Sequence, residues 1–152
     1  MPSIHASAVL VGARALLIRG PSGTGKSRLA LALLRQAESG APAFVRLVSD
    51  DRSLVAPHHG RLLVRPVPEI AGLIEVRGLG VRRLPYELVA VVGCVVDLAA
   101  PDGERLPAAA STEVVIEGIS LPRLPITADA DPVALILARM ATGTPGGSPS
   151  VA

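Results

Sequence analysis

Short apolar runs at residues 9–11 and 15–18, parted by Gly12, Ala13 and Arg14, predict a β-hairpin near the start of the chain. The second run enters a stretch of turn formers at 20–25, and Ala and Leu then recur at helical spacing over 26–39 until Gly40 offers a stop. Residues 44–48 read as a buried strand that delivers Asp50 and Asp51 at its end. Runs at 54–56 and 62–64 flank Pro57, His58, His59 and Gly60 and predict a second hairpin. A short strand at 73–76 leads into Arg77, Gly78, Leu79 and Gly80. Residues 88–98 are rich in valine and alternate poorly, as a strand covered on both faces does. Weaker strand patterns follow at 114–116 and 119–124. Asp131 and Pro132 then start a helix that runs to about Thr142, with an acid at the N-cap and proline in the first helical position. The expectation is one α/β domain over 1–142, with a mixed, strand-rich sheet and few helices, and a disordered Gly/Pro/Ser tail over 143–152.

Composition narrows the function classes. The 152 residues are 49% hydrophobic and 18% charged, which is too apolar for a disordered chain. The longest apolar stretches, at 88–96 and 133–138, fall far short of the ~20 residues that span a bilayer, and no basic segment precedes an apolar run at the N-terminus. One cysteine, Cys94, excludes an internal disulfide, and the expected setting is cytoplasmic. The only aromatics are Phe44 and Tyr86 and the arginines are scattered, which argues against nucleic acid as a partner. Of the 15 basic residues only Lys26 is lysine, at a place where a compact ammonium suits the chemistry better than a guanidinium fork.

Lys26 belongs to GPSGTGKS, formed by Gly20, Pro21, Ser22, Gly23, Thr24, Gly25, Lys26 and Ser27, a full match to the P-loop pattern between a strand and a helix. Its glycines let successive N–H groups turn inward on phosphate oxygens, the helix adds its positive N-terminal end, Lys26 reaches the outer phosphates and Ser27 serves Mg²⁺. Asp50 and Asp51 supply carboxylates at the next strand end. If extended geometry persists they point to opposite faces and have different jobs, one near the Mg²⁺ and the other toward the acceptor. With no second lysine there is no Asn-Lys-x-Asp guanine motif, so a GTPase is a poor reading. His58 and His59 belong to a turn, Arg82 and Arg83 are either exposed charge or a docking patch for an acidic protein, and Cys94 is a buried, inert thiol.

The P-loop, the acidic pair and the segment Leu73-Ile-Glu-Val-Arg-Gly-Leu-Gly80 together resemble the catalytic domain of bacterial HPr kinase/phosphorylases, in the short form found in alphaproteobacteria. The last segment is the discriminating one, because a generic P-loop protein has no reason to carry it. The resemblance implies a fold related to phosphoenolpyruvate carboxykinases, ATP and Mg²⁺ as cofactors, an HPr-type phosphocarrier protein as acceptor, and a homo-oligomer, a hexamer in the family. It further implies Ser27 and Glu75 on the metal, Asp51 as base, and His5 and Arg105 assisting at the phosphoryl group, with Arg77, Gly78 and Gly80 as signature residues. The family's Pro-x-x-Pro-Gly-Arg loop corresponds to residues 125–131, which hold no arginine, so the kinase direction is expected and not the phosphorylase one. Two other readings of the P-loop are a small-molecule phosphotransferase and an ATP-sensing regulatory module without transfer.

Overall fold

The computed structural model describes residues 1–40, 44–143 and 145; the tail expected at 143–152 lies largely outside the described residues. In chain order the elements are β1 (Ser3–Ile4), β2 (Ala6–Val11), β3 (Arg14–Arg19), α1 (Lys26–Glu38), β4 (Val45–Ser49), β5 (Ser53–His58), β6 (Arg61–Pro66), β7 (Leu73–Val76), β8 (Gly80–Arg83), β9 (Ala90–Asp97), β10 (Glu113–Ile116), β11 (Ile119–Pro125) and α2 (Pro132–Ala141). Nine strands form one mixed sheet in the order β1-β5-β6-β9-β3-β2-β4, with β11 joining β9 and β10 joining β11. β7 and β8 form a separate two-stranded ribbon.

The directions of the strands place the chemistry. β3 and β9 run parallel, as do β9 and β11, while β2 runs antiparallel to both β3 and β4. The carboxyl ends of β3, β4, β9 and β11 therefore share one end of the sheet, and so does the start of β2. Ligands of open α/β sheets bind outside such ends. β9 is the central strand, and its residues divide between two cores as a doubly covered strand must. Cys94 and Val96 join Leu16, Ile18, Leu29, Leu33 and Ile136 under the helices, whereas Val92 and Val95 join Leu17, Val48, Val55, Leu62 and Leu121 on the other face.

α2 begins as its sequence dictates. The Asp131 carboxylate accepts from the N–H groups of Val133 and Ala134, and Pro132 takes the first helical position. Two expectations are corrected. Pro57 and His58 are not part of a turn but lie inside β5, opposite Leu62 and Arg61, where β1 pairs only with Ser53 and Leu54 and leaves the rest of that edge without a partner strand among the described residues. The 77–80 stretch turns the chain into β8, a strand absent from the expected elements, whose four residues are all exposed and so carry no apolar alternation for the sequence to display. No described helix is long and apolar enough to cross a membrane.

Candidate active site

The P-loop grows directly from β3. Leu98 N–H, just past β9, donates to the Arg19 carbonyl at 2.9 Å and brings the two strand ends together. The approach is close enough that only glycine fits at position 20, because a Cβ there would lie 2.7 Å from Thr24 Oγ1 and 3.2 Å from both Cβ and O of Leu98. Thr24 closes the loop by donating its hydroxyl to the Pro21 carbonyl at 2.7 Å. Gly25, at φ 93°, starts α1 with no side-chain cap and no acid in the first turn. The first N–H groups of the helix are thus left for a ligand, at its positive end. Lys26 is 7% exposed, and its Nζ donates to the carbonyls of Gly20 at 2.9 Å and Pro21 at 3.2 Å, which holds the ammonium inside the loop.

Asp50 and Asp51 have different surroundings, as expected, but a turn and not strand alternation separates them. β4 stops at Ser49, and Asp51 adopts φ 65°, in the left-handed region. Asp with φ > 0 is less costly than most residues but still disfavoured, and such backbone is held only where its surroundings over-determine it. Here they do. Ser49 and Ser53 bracket the turn with a 2.6 Å hydroxyl contact, and Ser53 donates onward to the Ala6 carbonyl at 2.9 Å. Ser7 accepts from Asp51 N–H at 3.2 Å and donates to Asp50 Oδ1 at 2.8 Å. Asp50, 6% exposed, also accepts from the Ser27 hydroxyl at 2.7 Å and from Glu75 N–H at 3.2 Å. One carboxylate thus ties together β2, α1 and the β7–β8 ribbon. Asp51 points outward and meets His5 Nε2 at 2.7 Å.

His5, Lys26, Ser27, Asp51, Glu75 and Arg77 all line one open cavity of about 500 Å³ in front of the P-loop. A second cavity of about 500 Å³ lies on the other side of the loop, shares Gly23, Gly25 and Arg28 with the first, and is walled by Leu29, Ile126, Pro132 and Val133. Gly78 and Gly80 line neither; they turn the ribbon at φ 91° and 92° so that Glu75 and Arg77 reach the cavity. Arg105 is exposed on the connection after β9 and lines neither cavity. No cluster of three or more His, Cys, Asp or Glu side chains with metal-binding spacing occurs among the described residues. Mg²⁺ does not require one. It is commonly held by one or two carboxylates, water and substrate phosphates, and the oxygen donors Ser27 and Glu75 in the cavity fit that chemistry. Asp50 does not line the cavity and acts on it through the Ser27 hydroxyl, from which it accepts.

Ser7 was not legible as a functional residue. Its signal is one hydroxyl in the otherwise apolar run of β2, where a fully buried polar side chain needs a partner. Arg19, Asp97 and Arg123 were also missed. Arg19 clasps Asp97 with two hydrogen bonds of 2.8 Å, and Arg123 joins it at 2.6 Å while pairing with Asp102 at 2.7 and 3.0 Å. These pairs pin the carboxyl ends of β3, β9 and β11 immediately behind the P-loop. Burial alone would raise the Asp97 pKa, but the hydrogen bonds from Arg19 and Arg123 outweigh it and hold the carboxyl below its ordinary value. The hydrogen bonds of Arg123 likewise lower Asp102.

No family model matches the chain. Curated proteins do. The HPr kinase/phosphorylase of Clostridium beijerinckii is 37% identical over 78 residues, which cover 51% of this chain and 24% of that protein. That of Limosilactobacillus reuteri is 38% identical over 80 residues, 52% of this chain and 23% of that protein. The matched region thus spans about a quarter of the length of these relatives. Among solved structures, the HPr(Ser) kinase/phosphatase of Coxiella burnetii superposes with a TM-score of 0.71 at 23% identity, covering 91% of this chain and 87% of that one. In sequence over half of its length, and in fold over nearly all of it, the chain resembles the HPr kinase/phosphorylases.

Proposed function

We propose that the chain is an ATP- and Mg²⁺-dependent serine kinase acting on an HPr-type phosphocarrier protein. The observation that carries this reading is the convergence in one cavity of the P-loop lysine Lys26, the oxygens of Ser27 and Glu75, and the Asp51 carboxylate paired with His5. Phosphoryl transfer is mostly positioning and charge neutralisation, so such a cluster is the machinery it needs. Lys26 and the first amides of α1 hold the outer phosphates. Ser27, oriented by Asp50, and Glu75 would hold Mg²⁺, which when bound spreads the charge of the phosphate oxygens. Asp51 accepts the proton of the acceptor serine as its Oγ forms a bond to the γ-phosphorus and the bond to the β,γ-bridging oxygen breaks, releasing ADP. His5 fixes the carboxylate in place. Arg77 stands in the same cavity to bind phosphate oxygens, and the apolar second cavity offers room for the nucleoside. Arg105 assists only if its connection swings inward.

The curated relatives are named HPr kinase/phosphorylases, and similarity to them favours a protein acceptor over a small molecule. The paired Asp51 and His5 favour transfer over mere sensing of ATP, which needs no base. The deciding experiment incubates the protein with radiolabelled ATP and Mg²⁺, with and without purified HPr. Label on an HPr serine is expected. Label on neither protein, with ATP still bound, would favour the sensing module, and turnover on small acceptors alone would favour the other kinase class.

A further inference from the structure

The two cavities at the P-loop meet over three residues, since Gly23, Gly25 and Arg28 line both. Neither glycine covers the meeting point. A Cβ at Gly23 would find nothing within 4 Å, and one at Gly25 would meet the Arg28 Cβ at 3.9 Å. Arg28 is therefore the only side chain common to the two spaces. A nucleotide with its outer phosphates on Lys26 and its nucleoside in the apolar cavity has to cross this junction. The group that crosses is the α-phosphate, because it joins the outer phosphates to the ribose.

Arg28 stands against its own local electrostatics. It sits two residues after Lys26, in a first turn of α1 that holds no acid. A cation there opposes the helix dipole, whose positive end already faces the loop, and it adds to the charge of Lys26. Among the described residues Arg28 forms no ion pair. Of the acids that line the two cavities, Asp131 is turned to the amides of Val133 and Ala134, and Asp51 meets His5. A bound polyanion supplies the counter-charge that the chain itself does not place beside Arg28.

We infer that Arg28 grips the α-phosphate and so gives the P-loop its preference for a nucleotide over inorganic pyrophosphate. A guanidinium fork matches two non-bridging oxygens of one phosphate, and the exposed side chain is at liberty to turn over the junction when the nucleotide arrives. Pyrophosphate fills only the places of the two outer phosphates, at Lys26 and Ser27, and leaves the junction empty. The inference rests on the nucleotide reading of the P-loop proposed above, and not on the identity of the acceptor.

The test measures binding of ADP, a non-hydrolysable ATP analogue and pyrophosphate to the full chain, by calorimetry with Mg²⁺ at constant ionic strength. Arg28→Gln should weaken both nucleotides about tenfold, the worth of one charge-assisted hydrogen bond, and leave pyrophosphate nearly unchanged. Arg28→Lys, which keeps the charge and loses the fork, should fall between. Because the position is exposed, neither substitution should shift the thermal melt. A role through charge alone would weaken the compact pyrophosphate at least as much as ADP, with full rescue by Arg28→Lys. That result, or nucleotide affinities untouched by Arg28→Gln, would overturn the inference. Failure of the unsubstituted protein to bind either nucleotide would overturn it together with the nucleotide reading. Nucleotide binding weakened as expected, in a protein that labels no acceptor, would uphold it while the kinase reading falls.

Discussion

His5 Nε2 lies 2.7 Å from Asp51 Oδ1, across a sequence separation of 46 residues. The contact exists because β2 pairs with β4 antiparallel, so the start of one strand meets the end of the other. The Asp51 carboxylate has no other hydrogen-bond partner among the described residues, while that of Asp50 beside it has Ser7 and Ser27. The pair thus divides into an outward carboxylate poised for chemistry and an inward one that holds the site together.

That division sets the first prediction. Asp51→Asn should bind ATP within a few-fold of the unmodified protein yet transfer phosphate roughly 10²- to 10⁴-fold more slowly, the usual cost of losing a general base. Asp50→Asn should instead lose affinity for Mg²⁺ and stability, because the buried amide presents a donor where Ser7, Ser27 and Glu75 all donate. Single-turnover transfer, nucleotide titration and thermal melts on both variants check this. Fast chemistry in Asp51→Asn with none in Asp50→Asn would exchange the roles.

Lys26 is seated by two carbonyls of its own loop, in a space suited to an ammonium. Lys26→Ala should lower transfer by at least about 10²-fold, and Lys26→Arg should fail similarly, since the broader fork does not fit the Gly20–Pro21 seat. Transfer rates at saturating ATP, with folding verified by circular dichroism, provide the measurement. Unimpaired turnover in Lys26→Arg would contradict it.

Residues 125–131 carry no arginine to handle a second anionic reactant. Phosphorylated HPr incubated with inorganic phosphate and this protein should therefore release pyrophosphate far more slowly than the kinase reaction runs. Comparable rates in the two directions would show that this connection is not needed for the reverse chemistry.

The Asp97 cluster gives a pH dependence. Its carboxyl is held below the ordinary value in the folded chain, so its contribution is present above the unfolded pKa of about 3.9 and is lost as pH falls through the folded value. At pH 7, Asp97→Asn should destabilise the protein by about 3 kcal/mol, because Arg19 and Arg123 lose their counter-charge. Urea melts of both proteins should converge as the pH is lowered below 4. A constant difference down to pH 2 would show that Asp97 acts by packing alone.

Burial raises the pKa of the Cys94 thiol, and the side chain is fully enclosed in β9. At pH 8 it should react with a disulfide reagent at least about 10³-fold more slowly in the native protein than in urea, in keeping with the rarity of global opening. Rapid native labelling would mean that β9 opens locally.

Features that depend on neighbours along the chain were legible in the sequence. The P-loop between a strand and a helix, the Asp131–Pro132 helix start, the hairpins around Gly12 and Gly60, and the valine strand at β9 each follow from a period, a cap or a turn residue that acts over a few positions. The candidate residues His5, Asp51 and Glu75 came from the resemblance in motif, and as separate points with no geometry between them. Tertiary structure decided what those points do. Strand direction brought His5 to Asp51, a turn with left-handed backbone set Asp50 and Asp51 apart, and the buried Ser7 and Asp97 acquired partners 43 and 78 residues away. The exposed strand β8 had no local signal, because it is not buried. Local pattern records what a residue asks of its immediate neighbours. Pairing across the sheet is fixed by burial of the whole core, and only that assembles a site from residues so far apart.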